Sequence, residues 1–210
     1  MSVLVILLYF GAWAGLHTTL ASLRTKRLAG RLFGPAARRW YRFAFVLTAV
    51  ATLVPLVVLM LGLPDRTLYA VPSPWRWLMV AGQVAALAGM VWTIRATDAT
   101  DFVGLHQLRG GGSAFEARLV TRGLYRYVRH PMYTTSLIVM WLMPRMTVNL
   151  LALFACISVY FFLGSFHEER LLVQQFGSEY EEYQRRIPRI VPGLRSFRPG
   201  SGGARSTGGS

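Results

Sequence analysis

Five apolar runs separated by polar stretches organise this chain. Residues 3–20 carry no charge and have about the ~20 apolar residues that a helix needs to cross a ~30 Å hydrocarbon core. A second run, 41–63, contains Pro55, which a transmembrane helix tolerates as a kink because neighbouring groups satisfy the freed carbonyl. The third, 78–94, presents Gly82, Ala85, Ala86 and Gly89 as a small-residue face for close helix contact. Residues 132–143 are apolar too, but 12 residues make only about 18 Å of helix, short of a crossing unless the helix begins upstream or the bilayer thins. Pro144-Arg145 turns the chain, and 148–166 returns as a full-length run. The last two runs therefore predict a helical hairpin. After it the pattern changes: Leu172, Phe176, Tyr180, Tyr183 and Ile187 recur at spacings of four and three with Glu, Gln and Arg between, an amphipathic helix over 168–187 that Gly177 can divide in two. No internal repeat is evident.

The expected architecture is all-α and membrane-integral, with five transmembrane helices and a cytoplasmic amphipathic helix in one domain, 1–193. The Gly/Ser/Arg-rich remainder, 194–210, has the composition of a disordered tail. Composition agrees: 53% hydrophobic residues, 15% charged and a mean hydropathy of +0.39 describe a lipid-solvated chain. The net charge of +14 does not call for nucleic acid, because the basic residues fall between apolar runs rather than on a soluble face. Twenty of the 23 Lys/Arg lie in 24–42, 95–129 and 167–210, against Arg66, Arg76 and Arg145 on the other side. This positive-inside bias sets the N-terminus outside and the C-terminus in the cytoplasm. The first run is not preceded by Lys or Arg and is followed by a basic cluster, the reverse of a secretory signal, so it reads as a retained span. His17, Thr18 and Thr19 near its cytoplasmic end read as helix-contact groups. Cys156, the single cysteine, excludes a disulfide framework.

Polar residues able to do chemistry gather in two clusters at the ends of the hairpin. In Arg129-His130-Pro131 the proline is preset for a first helical turn, whose free N–H groups suit an anion. Arg126 and Arg129 add positive charge; the alternative is that these residues only touch lipid headgroups. In His167-Glu168-Glu169, two acids at the end of the fifth run would oppose the helix macrodipole and call for a compensating cation or ligand. Glu169 can pair with Arg129 or Arg126 across the hairpin mouth, or a Glu can accept hydrogen bonds from a ligand, and spacing does not choose between them. Four scattered histidines, His17, His106, His130 and His167, are too few for a metal-dependent membrane oxygenase, and no second histidine completes a zinc helix. Gly110-Gly111-Gly112 follows no strand-like run, so a nucleotide-binding fingerprint is unsupported. Tyr125, Tyr127, Tyr180 and Tyr183 are interfacial aromatics by default and can equally enclose an adenine ring or a sulfonium cation.

Gly123-Leu124-Tyr125-Arg126-Tyr127-Val128-Arg129-His130-Pro131-Met132-Tyr133, followed by Glu168-Glu169, Leu172, Phe176-Gly177, Tyr180, Tyr183, Pro188-Arg189 and Pro192, closely resembles the isoprenylcysteine carboxyl methyltransferase and phospholipid methyltransferase superfamily. The pattern covers about a third of the chain. Softer cues, Thr100 to Gln107, Met143-Pro144 with Met146-Thr147, and His17-Thr18 with Leu20-Ala21-Ser22, are most similar to bacterial methanethiol S-methyltransferases and NnrU-type proteins. The resemblance implies a bacterial inner-membrane methyltransferase that uses S-adenosyl-L-methionine. Its acceptor would be a small thiol, with a lipid or isoprenylcysteine-type acceptor, or a non-catalytic NnrU-like assembly role, as alternatives. It also implies that Arg129, His130, Pro131, Tyr133, Tyr125, Glu169, Tyr180, Tyr183 and Arg189 hold the donor, and that Glu168, Glu169 and Arg129 serve catalysis. Where the family often has Gly, two residues after Tyr133, this chain has Thr135, so backbone packing there is expected to differ.

Overall fold

A computed structural model describes residues 1–97 and 119–193. The expectations for Thr100 to Gln107, His106, the Gly110-Gly111-Gly112 turn and the tail 194–210 lie outside the described residues. In chain order come α1 (Ser2–Ala21), α2 (Leu23–Gly62), β1 (Thr67–Ala70), α3 (Trp75–Ala96), a 3-10 turn (Gly123–Arg126), α4 (Pro131–Trp141), β2 (Arg145–Thr147), α5 (Val148–Phe176) and α6 (Ser178–Arg186). The protein is mostly helical, and four segments among the described residues are long and apolar enough to cross a membrane: Ser2–Ala21, Phe43–Gly62, Trp75–Ala96 and Val148–Phe176. Large apolar side chains such as Val54, Val58, Leu61, Leu78, Val84, Trp92, Val159 and Phe162 stand exposed on these helices. Helices that are apolar all round need lipid as their solvent.

Two details differ from the expected pattern. The all-α expectation holds for the bundle, with one short addition at its end, where β1 and β2 pair antiparallel, with Thr67 opposite Thr147 and Ala70 opposite Arg145. The loop at Pro64 also caps α5: the Asp65 carboxylate accepts from Asn149 N at 3.1 Å, alongside the Thr147 side chain accepting from Leu150 N at 3.2 Å. A carboxylate at a helix start satisfies orphan N–H groups and complements the macrodipole. Pro55 does not interrupt helical dihedrals; the non-helical residue inside α2 is Gly34, at φ 64°. Only glycine takes that value without a Cβ penalty.

Packing of α3 on α4 uses the small residues in part. A Cβ on Gly82 would lie 2.6 Å from Leu142 Cδ1, and one on Gly89 would lie 3.2 Å from Leu124 Cδ1. Ala86 is buried in the same seam, whereas Ala85 points away and is exposed. Thr135 is buried in this seam, its hydroxyl bonded to Pro131 O at 2.9 Å and its methyl facing Gly89. The glycine that lets two backbones approach is thus on α3, opposite the threonine.

At the other end α5 runs unbroken to Phe176, and Gly177 (φ 57°, ψ −132°) turns the chain into α6. Nothing lies within 4 Å of a Cβ built there, so a Gly177→Ala change is opposed by backbone strain alone. Its expected effect is a loss of about 1–3 kcal/mol, read as a lower melting temperature of the detergent-purified protein.

Candidate active site

The segment after α6 returns to the start of α4 and pairs with it through backbone bonds. Arg129 N donates to Pro188 O at 2.9 Å and His130 N to Arg189 O at 3.0 Å. Thr134 Oγ1 adds a bond to Ile190 O at 2.6 Å, and Tyr183 Oη one to Tyr125 O at 2.6 Å. These bonds place the Arg129-His130-Pro131 run, the Glu pair on α5 and Arg189 around one centre.

That centre is Glu169, whose side chain is 4% exposed. Its Oε1 accepts from Arg129 Nε at 2.8 Å and Arg189 Nε at 3.2 Å, and lies 3.2 Å from His130 Nε2. Its Oε2 accepts from Arg189 Nη2 at 2.8 Å and Gln184 Nε2 at 3.0 Å. The Arg129 guanidinium also donates to Gln184 O and Ile187 O, at 2.6 and 3.0 Å. Arg189 in turn lies over the Phe166 ring at 3.6 Å. The two carboxylates do not end a helix, as the sequence pattern suggested, because α5 continues beyond them to Phe176. The pair therefore meets no helix end, and two arginines and a histidine compensate the buried carboxylate. Arg126 takes no part; it is exposed on the 3-10 turn.

Glu168 has a different environment. Its side chain is 50% exposed, its Oε2 accepts from Tyr133 Oη at 3.1 Å, and His130 Nδ1 lies 3.5 Å away. Rings stack in series behind it, His130 on Tyr133 at 5.2 Å and Tyr133 on Phe161 at 4.6 Å. A cavity of about 730 Å³ opens here, lined among others by Tyr125, Pro131, Tyr133, Glu168, Tyr180 and Tyr183. Glu168 faces it, and Glu169 and Arg189 stand behind its wall. Arg129 and His130 reach the lining. Tyr180 is buried at 1% exposure, and its hydroxyl has no hydrogen-bond partner among the described residues. Burial and the Glu168 charge push the Tyr125 phenol up to about 12, which keeps it a neutral donor.

Each ring nitrogen of His130 faces a carboxylate. Burial alone would lower its pKa, but the hydrogen bonds and charges of Glu168 and Glu169 outweigh burial and raise it. A raised folded-state pKa contributes stability that is complete below the unfolded value near ~6.5 and disappears as pH rises through the folded value. The melting temperature is therefore expected to fall as pH is taken from 6 upward through that range, with a flatter profile in His130→Gln.

The sequence reading missed Gln184, Thr134, Phe161 and Phe166. Phe161, Ser165, Glu168, Leu172 and Phe176 recur at helical spacing along α5, a stripe visible only when 148–176 is read as one helix.

The phospholipid methyltransferase family model matches residues 77–179. A methanethiol S-methyltransferase of a Pseudomonas species is 31% identical over 201 residues, covering 91% of this chain and 74% of the relative. The chain belongs to the phospholipid methyltransferase family. Two methanethiol S-methyltransferases of Bradyrhizobium diazoefficiens also match, at 37% identity over 46% of this chain and 35% of the relative, and at 31% identity over 76% of the chain and 66% of the relative. The matched stretch is thus from about a third to two thirds of these two relatives. No solved structure matches. The family match spans α3, α4, α5 and the start of α6, so it includes the Glu pair and the Arg129-His130-Pro131 run but stops short of Tyr180 and Arg189.

Proposed function

We propose that this chain is a membrane-bound S-adenosyl-L-methionine-dependent methyltransferase whose acceptor is a small thiol of the methanethiol kind. The observation that carries the reading is a cavity that Glu168 faces, with the buried Tyr180 hydroxyl, which has no partner among the described residues, in its wall. A buried hydroxyl with no partner loses about 1–3 kcal/mol unless a ligand supplies one. The volume of about 730 Å³ lies within the usual ~300–1,000 Å³ of a small-molecule site. The relatives' names supply the acceptor class.

S-adenosyl-L-methionine, when bound, supplies an electrophilic methyl group on a sulfonium. The residues fit that group: the start of α4, which has no side-chain cap, suits its carboxylate. Tyr180 offers a hydroxyl, Glu168 a carboxylate for a cation, and Tyr125 and Tyr133 aromatic faces. For the acceptor, Glu168 is positioned to take the thiol proton, since the thiolate is the nucleophile. Glu169 and Arg129 act by holding His130 and the 187–190 segment in place. Stacked Tyr133 and Phe161 exclude water from the apolar side of the cavity.

The membrane frame follows the same reading. β1 and β2 lie at one end of the bundle and the site at the other, and among the described residues the basic side chains concentrate at the site's end. That end faces the cytoplasm under the positive-inside rule, with the N-terminus outside. The 11-residue α4, about 16 Å long, serves as a fifth, incomplete crossing that β2 extends.

Detergent-purified protein given labelled S-adenosyl-L-methionine and methanethiol is expected to release labelled dimethyl sulfide into the headspace. Donor binding without that product, and label in extracted lipid instead, would assign a lipidic acceptor. Absence of donor binding by calorimetry would sink the reading. Tyr180→Phe is expected to leave the melting temperature unchanged or slightly raised, because it removes an orphaned polar group. The same variant should weaken donor binding by about 1 kcal/mol, roughly fivefold in Kd.

A further inference from the structure

The α1–α2 hairpin is joined by a long excursion, bonded back to α1 at its start, where Thr25 Oγ1 donates to Thr19 O at 2.7 Å. Tyr9 Oη donates to Thr52 O at 2.8 Å, Trp13 Nε1 to Ala49 O at 3.3 Å, and Tyr41 Oη to Leu20 O. His17 meets Phe45 with ring centroids 4.6 Å apart. Partner numbers fall as α1 numbers rise, in even steps, so 2–21 lies antiparallel along 41–62 and residues 22–40 project beyond the paired zone. An αα-hairpin needs only about 2–5 connecting residues, so this excursion is far longer than closure requires.

Two breaks isolate its first part. Ser22 is extended (φ −65°, ψ 148°) and caps α2 by accepting from Thr25 N at 3.3 Å, and Gly34 at φ 64° ends the regular helix. Between them residues 23–33 form a helix with two faces. Arg24, Arg27 and Arg31 follow one another at three and four residues, and Thr25, Leu28, Ala29, Leu32 and Phe33 occupy an adjoining arc. Leu28, Leu32 and Phe33 are 54, 67 and 72% exposed, and Arg24, Lys26 and Arg31 are exposed as well. Three large apolar side chains beside a basic stripe, at the end of a transmembrane hairpin, match the design of a helix lying in a lipid interface.

We propose that residues 23–33 are an in-plane interfacial helix that docks on anionic phospholipid headgroups. Leu28, Leu32 and Phe33 enter the acyl boundary, and Arg24, Lys26 and Arg31 meet lipid phosphates. Charge complementarity selects this occupant: the segment holds four cations and no acid, which suits an anionic leaflet.

The test uses the full chain with Cys156→Ala, spin-labelled at Leu32→Cys or at Arg31→Cys, in vesicles of phosphatidylcholine alone or with one quarter phosphatidylglycerol. With phosphatidylglycerol, the label at 32 is expected to be several-fold less accessible to a water-soluble relaxant than the label at 31. In the triple variant Arg24→Gln, Lys26→Gln and Arg31→Gln, carrying the label at 32, that protection should shrink towards its level in phosphatidylcholine. Equal accessibility at 31 and 32 in phosphatidylglycerol vesicles overturns the proposal. So does protection at 32 that follows protein concentration in detergent free of anionic lipid, because the face then belongs to a second copy of the chain.

Discussion

Glu169→Gln is expected to lower the melting temperature of the purified protein by roughly 10 °C and to abolish donor binding with it. The carboxylate is buried and receives bonds from Arg129, Arg189 and Gln184, with His130 Nε2 within 3.2 Å. Glutamine keeps the shape but loses the charge and turns a donor towards guanidinium groups that can only donate. Removing one partner of a buried ion pair costs about 3–5 kcal/mol, because the remaining charges are left uncompensated. For a chain of this length each kcal/mol is worth roughly 2–4 °C. Thermal unfolding followed by intrinsic fluorescence measures it. A variant that melts like the parent and loses only turnover would show that Glu169 acts on the ligand and is not a structural clamp.

The damage should spread in one direction. Glu169 joins α5 to the start of α4 through Arg129 and His130, and to the returning chain through Gln184 and Arg189. Limited proteolysis of Glu169→Gln should therefore open residues 178–192 first, while the α1–α2 hairpin, tied by its own bonds from Tyr9, Trp13 and Tyr41, stays protected.

Much of this was legible in the chain because the bilayer imposes simple rules. The four full-length spans follow from run length and charge, and the convergence of Arg129-His130-Pro131 with Glu168-Glu169 follows from a hairpin whose ends share one side. Where the reading failed, the cause was contact rather than composition. Hydropathy ends the last span at Phe166, yet α5 continues because Glu169 and Ser165 are buried against neighbours that no window average registers. The split between the two carboxylates depends on a rotation of about 100° per residue along α5, and spacing alone carries no absolute phase. The β1–β2 pair joins segments nearly eighty residues apart, each too short for an alternating pattern to show. Thr135, where the sequence pattern predicts altered backbone packing, has its methyl facing Gly89 on α3, a contact that no local pattern shows.

Glu168→Gln separates chemistry from architecture. Glu168 is half exposed, and its partners Tyr133 and His130 can bond to an amide oxygen as well, so the melting temperature should stay close to the parent's. Turnover with a thiol acceptor should fall by about 10²–10⁴, the usual contribution of a positioned acid or base. The loss should depend on pH with a definite sign. A neutral thiol needs a proton acceptor near its sulfur, but a thiol already ionised in solution does not. The ratio of parent to variant rates is therefore expected to shrink as pH rises and the thiolate fraction grows. If Glu168 instead only neutralises a bound cation, the variant will show a raised donor KM with kcat recovered at saturation, at every pH. Measuring kcat and donor KM for both proteins across the range where the thiol ionises decides between the two roles, and the stacked Tyr133 and Phe161 beside Glu168 supply the dry surface on which the first would operate.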